Sequence, residues 1–252
     1  MPPATVHLVQ FTDTHLVGDP ARRLRGLDTF ASLQAVIAAA ASDLRQADAL
    51  LLTGDLVNDD AAGYARLREL LQPLDKPALC LPGNHDDGPA LDAALSTPPF
   101  HSGGSHDLGA WRVVLLDSTL PQRTEGALSE AELKRLEAAL AGAGARPVLV
   151  VLHHPPVPLG SRWLDEVGVT NAAEFWTVID RHPQVRAVLF GHAHQAYDGT
   201  HHGVRVLGTP STCFQFQPGV DDFRIDPSPA GWRCLALQPD GTLQTRLSRL
   251  ES

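Results

Sequence analysis

Cysteine is scarce in this chain, and so are the features of secreted and membrane-bound proteins. Only three cysteines occur among 252 residues, and no two of them form a C-x-x-C pair. This odd number of isolated cysteines argues against a disulfide framework. The N-terminus has no basic region followed by an apolar core, and no apolar run approaches the roughly 20 residues of a membrane span. We therefore expect a cytoplasmic protein without membrane association.

Clustered positive charge is also missing. The chain has 20 Lys and Arg against 29 Asp and Glu, and its formal charge is −9. Because a nucleic-acid-binding protein needs a basic face, nucleic acid is not an expected partner. The sequence leaves the oligomeric state open between a monomer and a homodimer.

The chain does contain a regular alternation of short apolar runs with segments of helical periodicity. Alternating strands and helices predict an α/β architecture. The last third of the chain is typical of β-hairpins and indicates either a mixed sheet or a second sheet packed on the first. No repeat or linker divides the sequence, so we expect one domain over residues 1–252.

Individual elements follow from periodicity and from capping signals. A capping box at Ser129 to Glu132 predicts the start of one helix, and Asp28 or Thr29 is the expected N-cap of another. The predicted strands are 6–11, 49–52, 77–81, 111–116, 147–152, 185–190, 204–207, 232–237 and 243–247. The predicted helices are 30–44, 61–71, 89–95, 129–140 and 171–181.

Polar side chains follow five of the apolar runs. In α/β sheets, ligands bind outside the carboxyl ends of strands. In Asp-x-His and His-x-His, a two-residue step along an extended chain would point both side chains the same way. The residues at these strand ends are Asp13, His15, Asp55, Asn84, His85, His153, His154, His192 and His194.

The donor set indicates which metals would bind. Nitrogen and oxygen donors without a thiol suit divalent Fe, Mn or Zn, and they argue against a structural cysteine site. The number of donors exceeds the needs of one ion. Two ions that share a bridging carboxylate would use it.

These motifs together resemble those of the calcineurin-like metallophosphoesterase family. Each motif alone is uninformative, but all five occur in the order of the family. They are Asp13-x-His15, Gly54-Asp55, Gly83-Asn84-His85-Asp86, His153-x-Pro155 and Gly191-His192-x-His194.

Within that family, nearly the whole chain is similar to the bacterial class III 3′,5′-cyclic-AMP phosphodiesterases. The similar segments are 10–16, 161–165, 171–172, 209–213, 215–216, 230–233 and 240–243. The resemblance implies two mixed β-sheets packed as a sandwich and flanked by α-helices, with a β-hairpin region at the C-terminus.

The resemblance also implies a role for each motif residue. His85 would be free of metal and would point at the phosphate, and Asp86 would orient His85 through its other ring nitrogen, which makes this pair the expected catalytic residues. His154 remains an alternative ligand to its neighbour His153. The implied ligands are Asp13, His15 and His194 for one metal, Asn84, His153 and His192 for the other, and Asp55 as the bridge. The implied substrate-binding residues are His15, Asn84, His85 and His194.

The implied reaction is hydrolysis of 3′,5′-cyclic AMP to 5′-AMP. A hydroxide held between two divalent ions would attack phosphorus, and His85 would protonate the leaving oxygen. One alternative is a broad-specificity phosphodiesterase or phosphomonoesterase on the same scaffold. A second is a non-catalytic scaffold that has lost its metals.

Base recognition has only weak sequence signals. Trp163 and Phe214 could stack on a purine, although both could equally belong to the core. Arg22, Arg25 and Arg162 could steer an anionic nucleotide, or they could simply be solvated.

Four further expectations concern residues around the motifs. We expect Asp59 to be solvated or to cap a helix, and residues 209–212 to lie beside the metals. His101 and His106 are expected in an exposed loop. Gly83 should show either a positive φ or close packing.

Overall fold

Two six-stranded sheets form the framework of the computed structural model, which describes residues 4–251. The first sheet runs in the order β14, β13, β1, β2, β3, β4. Strands β1 to β4 are parallel to one another, β13 is antiparallel to β1, and β14 is antiparallel to β13. Its strands are β1 (Val6–Phe11), β2 (Ala49–Thr53), β3 (Ala78–Leu81), β4 (Phe100–Ser102), β13 (Gly231–Leu237) and β14 (Leu243–Arg249).

The second sheet runs in the order β5, β6, β7, β8, β10, β9. Its four inner strands are parallel, and its two edge strands are antiparallel to their neighbours. The strands are β5 (Gly104–Leu108), β6 (Trp111–Leu115), β7 (Val148–Val151), β8 (Val185–Phe190), β9 (Tyr197–His201) and β10 (Val204–Gly208). A separate two-stranded ribbon consists of β11 (Gln215–Phe216) and β12 (Ile225–Asp226).

Helices cover the outer faces of both sheets. Asp28 accepts a hydrogen bond from the Ala31 N–H and Ser129 accepts one from the Glu132 N–H, so both predicted N-caps are confirmed. The helices are α1 (Thr29–Ala39), α2 (Ala41–Gln46), α3 (Gly63–Leu71), α4 (Gly88–Leu95), α5 (Glu130–Ala141), α6 (Arg162–Asp165) and α7 (Ala172–Ile179), with a 3₁₀ turn at Gln72–Leu74. Within residues 4–251, none of these helices has the length and apolar character needed to cross a bilayer.

Alternation along the strands builds three apolar layers. In β2, Leu51 packs with Leu79 and Leu149 in the core between the sheets, whereas Leu50 and Leu52 pack under the helices of the first sheet. A third cluster lies between the second sheet and helices α5 and α7. Because these strands are buried on both faces, they have continuous apolar sequences. The predicted sandwich of two mixed sheets flanked by helices is confirmed.

Some boundaries differ from the sequence prediction. The helix predicted over residues 30–44 is interrupted at Ala40, whose φ of −80° and ψ of 3° separate α1 from α2. His101 and His106 lie in the short strands β4 and β5 rather than in a loop. β4 has only three residues and β5 begins at Gly104 directly after Gly103, so the period-2 alternation that marks a longer strand is missing there.

A buried arginine connects the two sheets. Arg233 of β13 is 1% exposed. Its guanidinium donates to the carbonyl oxygens of Gly208 (2.7 Å) and Tyr197 (3.1 Å) on the second sheet, and to the hydroxyls of Thr209 (3.0 Å) and Thr245 (2.9 Å). Burial lowers its pKa to about 10, so the side chain remains charged at neutral pH.

We expect Arg233→Lys to lower the free energy of unfolding by about 2–3 kcal/mol, because a single ammonium cannot reach four acceptors and leaves buried oxygens unsatisfied. The midpoint of urea denaturation measures this. Arg205→Lys is the matched control. Arg205 of β10 pairs with Asp198 of β9 at the surface of the second sheet, and its replacement should cost less than about 0.5 kcal/mol. Equal shifts for the two variants would contradict this role for Arg233.

Candidate metal centre

Strand ends from both sheets meet at one edge of the sandwich. Loops after β1 and β2 run side by side, because the Asp13 N–H donates to the Gly54 carbonyl (3.0 Å) and the His15 N–H donates to the Asp55 carbonyl (2.9 Å). The loop after β8 joins them from the second sheet, where the His192 N–H donates to the Asp13 carboxylate (3.1 Å). The strand ends predicted from sequence therefore do converge.

The backbone at this edge is strained. The expectation of an extended chain in Asp-x-His and His-x-His is wrong, since these residues have positive φ. Each non-glycine residue in this region of the Ramachandran plot costs about 1–3 kcal/mol, and such residues concentrate at functional sites. The φ angles are 53° at Asp13, 44° at His15, 50° at Asp55, 62° at His192 and 50° at His194.

The first group of donors contains Asp13, His15 and His194, whose donor atoms all lie within 4.8 Å of one another. The Nε2 atoms of His15 and His194 are 3.2 Å apart, and His194 Nε2 is 3.3 Å from Asp13 Oδ1. Asp55 Oδ2 lies 3.7 Å from His15 Nε2. All four side chains are buried.

The second group shares the same Asp55 oxygen. His153 Nε2 is 3.4 Å from Asp55 Oδ2 and 3.3 Å from His192 Nδ1. The Asn84 side-chain oxygen lies 3.0 Å from His192 Nδ1. Asp55 Oδ2 therefore faces both groups, which is the position of a bridging carboxylate.

Hydrogen bonds fix the orientation of the imidazoles. The Nδ1 atoms of His153 and His194 face the carbonyl oxygens of Thr53 (2.8 Å) and Phe214 (2.7 Å), and His15 Nδ1 faces the Asn58 amide oxygen (3.1 Å). Because an amide carbonyl oxygen only accepts hydrogen bonds, Nδ1 carries a proton in these rings, and this orientation turns Nε2 toward the centre. Lone pairs 3.2 Å apart repel unless a cation lies between them, so this donor set fits metal ions.

Burial and neighbouring charges set the protonation of the cluster. Burial opposes ionisation of Asp55, but attraction by the His153 imidazole outweighs it and holds the carboxyl pKa well below its usual range. Burial lowers the pKa of His15 to about 3. For His153, the effect of burial is overcome by the Asp55 carboxylate, which raises its pKa to about 9.

The geometry separates His153 from His154. His154 is engaged through both ring nitrogens, with Nδ1 2.8 Å from the Ser118 hydroxyl and Nε2 3.1 Å from the Thr124 carbonyl. His153 keeps its Nε2 atom among the other donors. His153, His154 and His192 nevertheless offer donor atoms within 4.8 Å of one another, so His154 stays the alternative ligand.

His85 is held by Asp59. His85 Nδ1 lies 3.0 and 3.1 Å from the Asp59 carboxylate oxygens, and the Asp59 N–H donates to the His85 carbonyl (3.1 Å). Asp59 is exposed, as expected, but its carboxylate also contacts His85. The expectation that Asp86 orients His85 is wrong.

Asp86 instead binds the backbone beneath the site. Its carboxylate accepts hydrogen bonds from the N–H groups of Leu56 (3.0 Å), Val57 (3.2 Å) and Gly83 (2.9 Å), and from the Tyr64 hydroxyl (2.8 Å). It ties the segment after Asp55 to the turn that carries His85. Gly83 shows close packing rather than positive φ, since a Cβ there would lie 2.3 Å from the Asp55 nitrogen.

We expect Asp59→Asn to lower kcat about tenfold with little change in KM, because a hydrogen bond to a charged group contributes about 1.5–3 kcal/mol and this pair is partly exposed. Asp59→Glu should restore part of the loss. Steady-state kinetics with a phosphoester substrate check this, with Asp117→Asn as control, since Asp117 lines the same side of the site and accepts a hydrogen bond from the Thr119 N–H. An unchanged kcat in Asp59→Asn would contradict a positioning role.

A cavity of about 460 Å³ opens over the donors. All four residues expected to bind substrate, His15, Asn84, His85 and His194, line it. Trp163 and Phe214 line it as well, and Arg25 lies over the Phe214 ring. Arg22 is not among the lining residues, and Arg162 forms an exposed ion pair with Asp222.

The segment 209–212 lies against the centre, as expected, because the Ser211 hydroxyl donates to the Asp13 carbonyl (2.8 Å).

The hydrogen bonds beneath the centre carried little sequence signal. The buried Gln10 amide donates to the Thr53 hydroxyl (2.8 Å) and to the Phe190 carbonyl (3.3 Å). The one sequence feature that indicated these polar contacts is the glutamine inside the first apolar strand.

Over nearly its whole length, the chain is similar to known proteins. Residues 6–196 match the family described as Calcineurin-like phosphoesterase. The chain is 40% identical to the 3′,5′-cyclic adenosine monophosphate phosphodiesterase CpdA of Pseudomonas aeruginosa over 249 residues, which covers 98% of this chain and 91% of the relative. Identity to CpdA of Escherichia coli K12 is 41%, with coverage of 98% and 90%.

Other similarities are broader. A 3′,5′-cyclic-nucleotide phosphodiesterase of Nostoc is 38% identical, with coverage of 97% of this chain and 92% of the relative. Among solved structures, a dimetal phosphatase from Danio rerio shares the fold, with a TM-score of 0.66, 14% identity, and coverage of 93% and 95% of the two chains. With the family match and near full-length relatives, the chain belongs to the calcineurin-like phosphoesterases.

Proposed function

We propose that this protein hydrolyses 3′,5′-cyclic AMP to 5′-AMP at a centre of two divalent metal ions. The observation that carries the proposal is the position of Asp55 Oδ2, which lies between two groups of metal donors. Near full-length identity of about 40% to enzymes named as cAMP phosphodiesterases supports the substrate.

Seven side chains would hold the two ions. The donor chemistry suits Fe, Mn or Zn. When bound, such ions stabilise negative charge on a phosphate and make water more acidic. Asp13, His15 and His194 would hold one ion, Asn84, His153 and His192 would hold the other, and Asp55 would bridge them.

His85 would supply the proton for the leaving group. With Nδ1 held by Asp59, its Nε2 atom is the nitrogen left to face the substrate. As water adds to phosphorus and the bond to O3′ breaks, the imidazolium form of His85 would donate its Nε2 proton to O3′, the attacking water would release a proton to solvent, and His85 would regain its proton from solvent. His15, Asn84 and His194 line the same cavity and would contact the phosphate. Asp86 would act through the backbone that positions His85.

The proposal also covers the domain organisation, localisation, oligomeric state and partners of the protein. We take residues 1–252 as one catalytic domain, acting in the cytoplasm as a monomer or a homodimer, without nucleic acid or membrane partners. The formal charge of −9 supports a small anionic substrate held by metals rather than a polyanion held by a basic face.

A broad-specificity phosphodiesterase or phosphomonoesterase is the alternative, because the metal centre itself would contact only the phosphate group of a substrate. Values of kcat/KM should therefore be compared for cAMP, cGMP, 2′,3′-cyclic AMP, bis(p-nitrophenyl) phosphate and p-nitrophenyl phosphate. The proposal predicts the highest value for cAMP. A value for the generic diester well above that for cAMP would favour the alternative. A metal-loaded protein inactive on all five would favour a non-catalytic scaffold.

A further inference from the structure

The cavity above the metal centre has two unlike ends. One end consists of polar donors, and the other is apolar and aromatic. The apolar end is formed by Leu24, Trp163, Leu164, Val167, Phe214 and Phe216. We propose that the three aromatic side chains, here called the aromatic wall (Trp163, Phe214 and Phe216), bind the purine base of the nucleotide by stacking. This inference rests on the proposed function and adds the residues that would select its substrate.

The aromatic wall lies directly against the metal donors. The Phe216 ring stacks on His194, with centroids 4.1 Å apart and planes at 17°. The Phe214 ring stacks on His15 at 5.5 Å and 22°. A nucleotide whose phosphate lies at the metal ions that these histidines would hold would have its base, one ribose away, beside these rings.

Trp163 completes the wall from a different part of the chain. It meets Phe216 edge-on, with centroids 5.3 Å apart and planes at 79°. The buried Ser161 hydroxyl fixes this segment by accepting hydrogen bonds from the N–H groups of Gly219 (2.9 Å) and Val220 (3.2 Å). The rings are therefore ordered before a ligand binds, which lowers the entropy that binding must overcome.

An arginine beside the aromatic wall can also contact a purine. The exposed Arg25 guanidinium lies 4.5 Å from the Phe223 centroid and 5.6 Å from that of Phe214. A guanidinium in this position can also stack on a base.

The other cavity beside His85 does not offer such a surface. It has a volume of about 890 Å³ and also contacts Asn84 and His85. Its lining includes no Phe, Tyr or Trp side chain. It does include five carboxylates, which belong to Asp59, Asp60, Asp86, Asp87 and Asp117. Since stacking on aromatic side chains is favourable for any base, the aromatic side of His85 is where the base is expected.

The test measures binding rather than turnover. Calorimetry on the metal-loaded protein gives Kd for 5′-AMP and for ribose 5-phosphate, which differ only in the base. We expect 5′-AMP to bind the unaltered protein about 5- to 100-fold more tightly. Trp163→Leu should remove most of that ratio, and Trp163→Phe should keep most of it. Phe30→Leu, a half-buried ring outside the cavity, should leave it unchanged.

Two results would overturn the proposal: equal Kd values for the two ligands in the unaltered protein, or an unchanged ratio in Trp163→Leu. If Trp163→Leu fails to fold by circular dichroism, the exposed-site variant Arg25→Met decides, with a reduced ratio expected and an unchanged one contradictory. Hydrolysis of cAMP is assayed on the same samples. Base-dependent binding without hydrolysis would refute the proposed function alone, and hydrolysis without base-dependent binding would refute the aromatic wall alone.

Discussion

His85→Ala is expected to lower kcat on cAMP by about 10²- to 10⁴-fold, the usual contribution of a positioned general acid, while the metal content stays unchanged. His85 lines the cavity over the donors, and its Nδ1 atom is held by Asp59 rather than by the metal groups. Removing the imidazole should leave binding of the phosphate largely intact and withdraw the proton that O3′ needs. Steady-state kinetics together with elemental analysis of the purified variant measure both quantities.

His101→Ala serves as the matched control, because this half-buried histidine lies on β4 and does not line the cavity. It should retain full kcat and metal content. Loss of metal in His85→Ala would show that His85 is a ligand, since His15, Asp55 and His85 also offer donor atoms within 4.8 Å of one another. An unchanged kcat would remove His85 from the reaction.

Asp55→Ala should have the largest effect on metal binding. Its Oδ2 atom faces both donor groups, at 3.7 Å from His15 Nε2 and 3.4 Å from His153 Nε2. Replacing a residue that only hydrogen-bonds to a metal ligand already costs about 10- to 100-fold in metal affinity or activity. Losing a ligand that both ions share should therefore lower the affinity for each ion at least about 100-fold. We expect metal content to fall well below one ion per chain and cAMP hydrolysis to fall in parallel.

Asp13→Ala distinguishes a shared carboxylate from an ordinary one. Asp13 Oδ1 lies 3.3 Å from His194 Nε2 and belongs to one donor group in the proposed assignment. Its variant should therefore retain close to one ion per chain, whereas Asp55→Ala should not. Equal metal contents in the two variants would contradict the bridging position of Asp55. Thermal unfolding of both variants without metal checks that the fold is kept.

Local patterns predicted the apolar strands and the polar residues that follow them, whereas the two-sheet sandwich and the assignment of each donor to one of two ions were implied by the resemblance to the family. Continuous apolar runs such as Val148 to Val151 specify buried strands, and polar residues placed directly after them must lie at the sheet edge. Short edge strands such as β4 and β5 escaped prediction because they expose polar side chains and gain their order from pairing with a neighbour.

The partner of His85 could not be predicted for a different reason. Asp86 is adjacent to it in sequence, but a left-handed residue at Asp59, with φ of 54°, returns a neighbouring loop to the ring. The Asp86 carboxylate instead points away from the ring and accepts hydrogen bonds from three backbone N–H groups. The choice between two carboxylates therefore depends on how two loops pack, and a sequence pattern does not record that packing.

Reconstitution with metal tests most directly whether a centre of two metal ions hydrolyses cAMP. Chelated, metal-free protein should be incubated with cAMP while Mn²⁺ is added in steps, and the products separated by chromatography. We predict negligible turnover without metal, maximal turnover at about two ions per chain, and 5′-AMP as the only nucleotide product. Turnover by the metal-free protein, 3′-AMP as the product, or inactivity of protein that holds two ions per chain would each contradict the account.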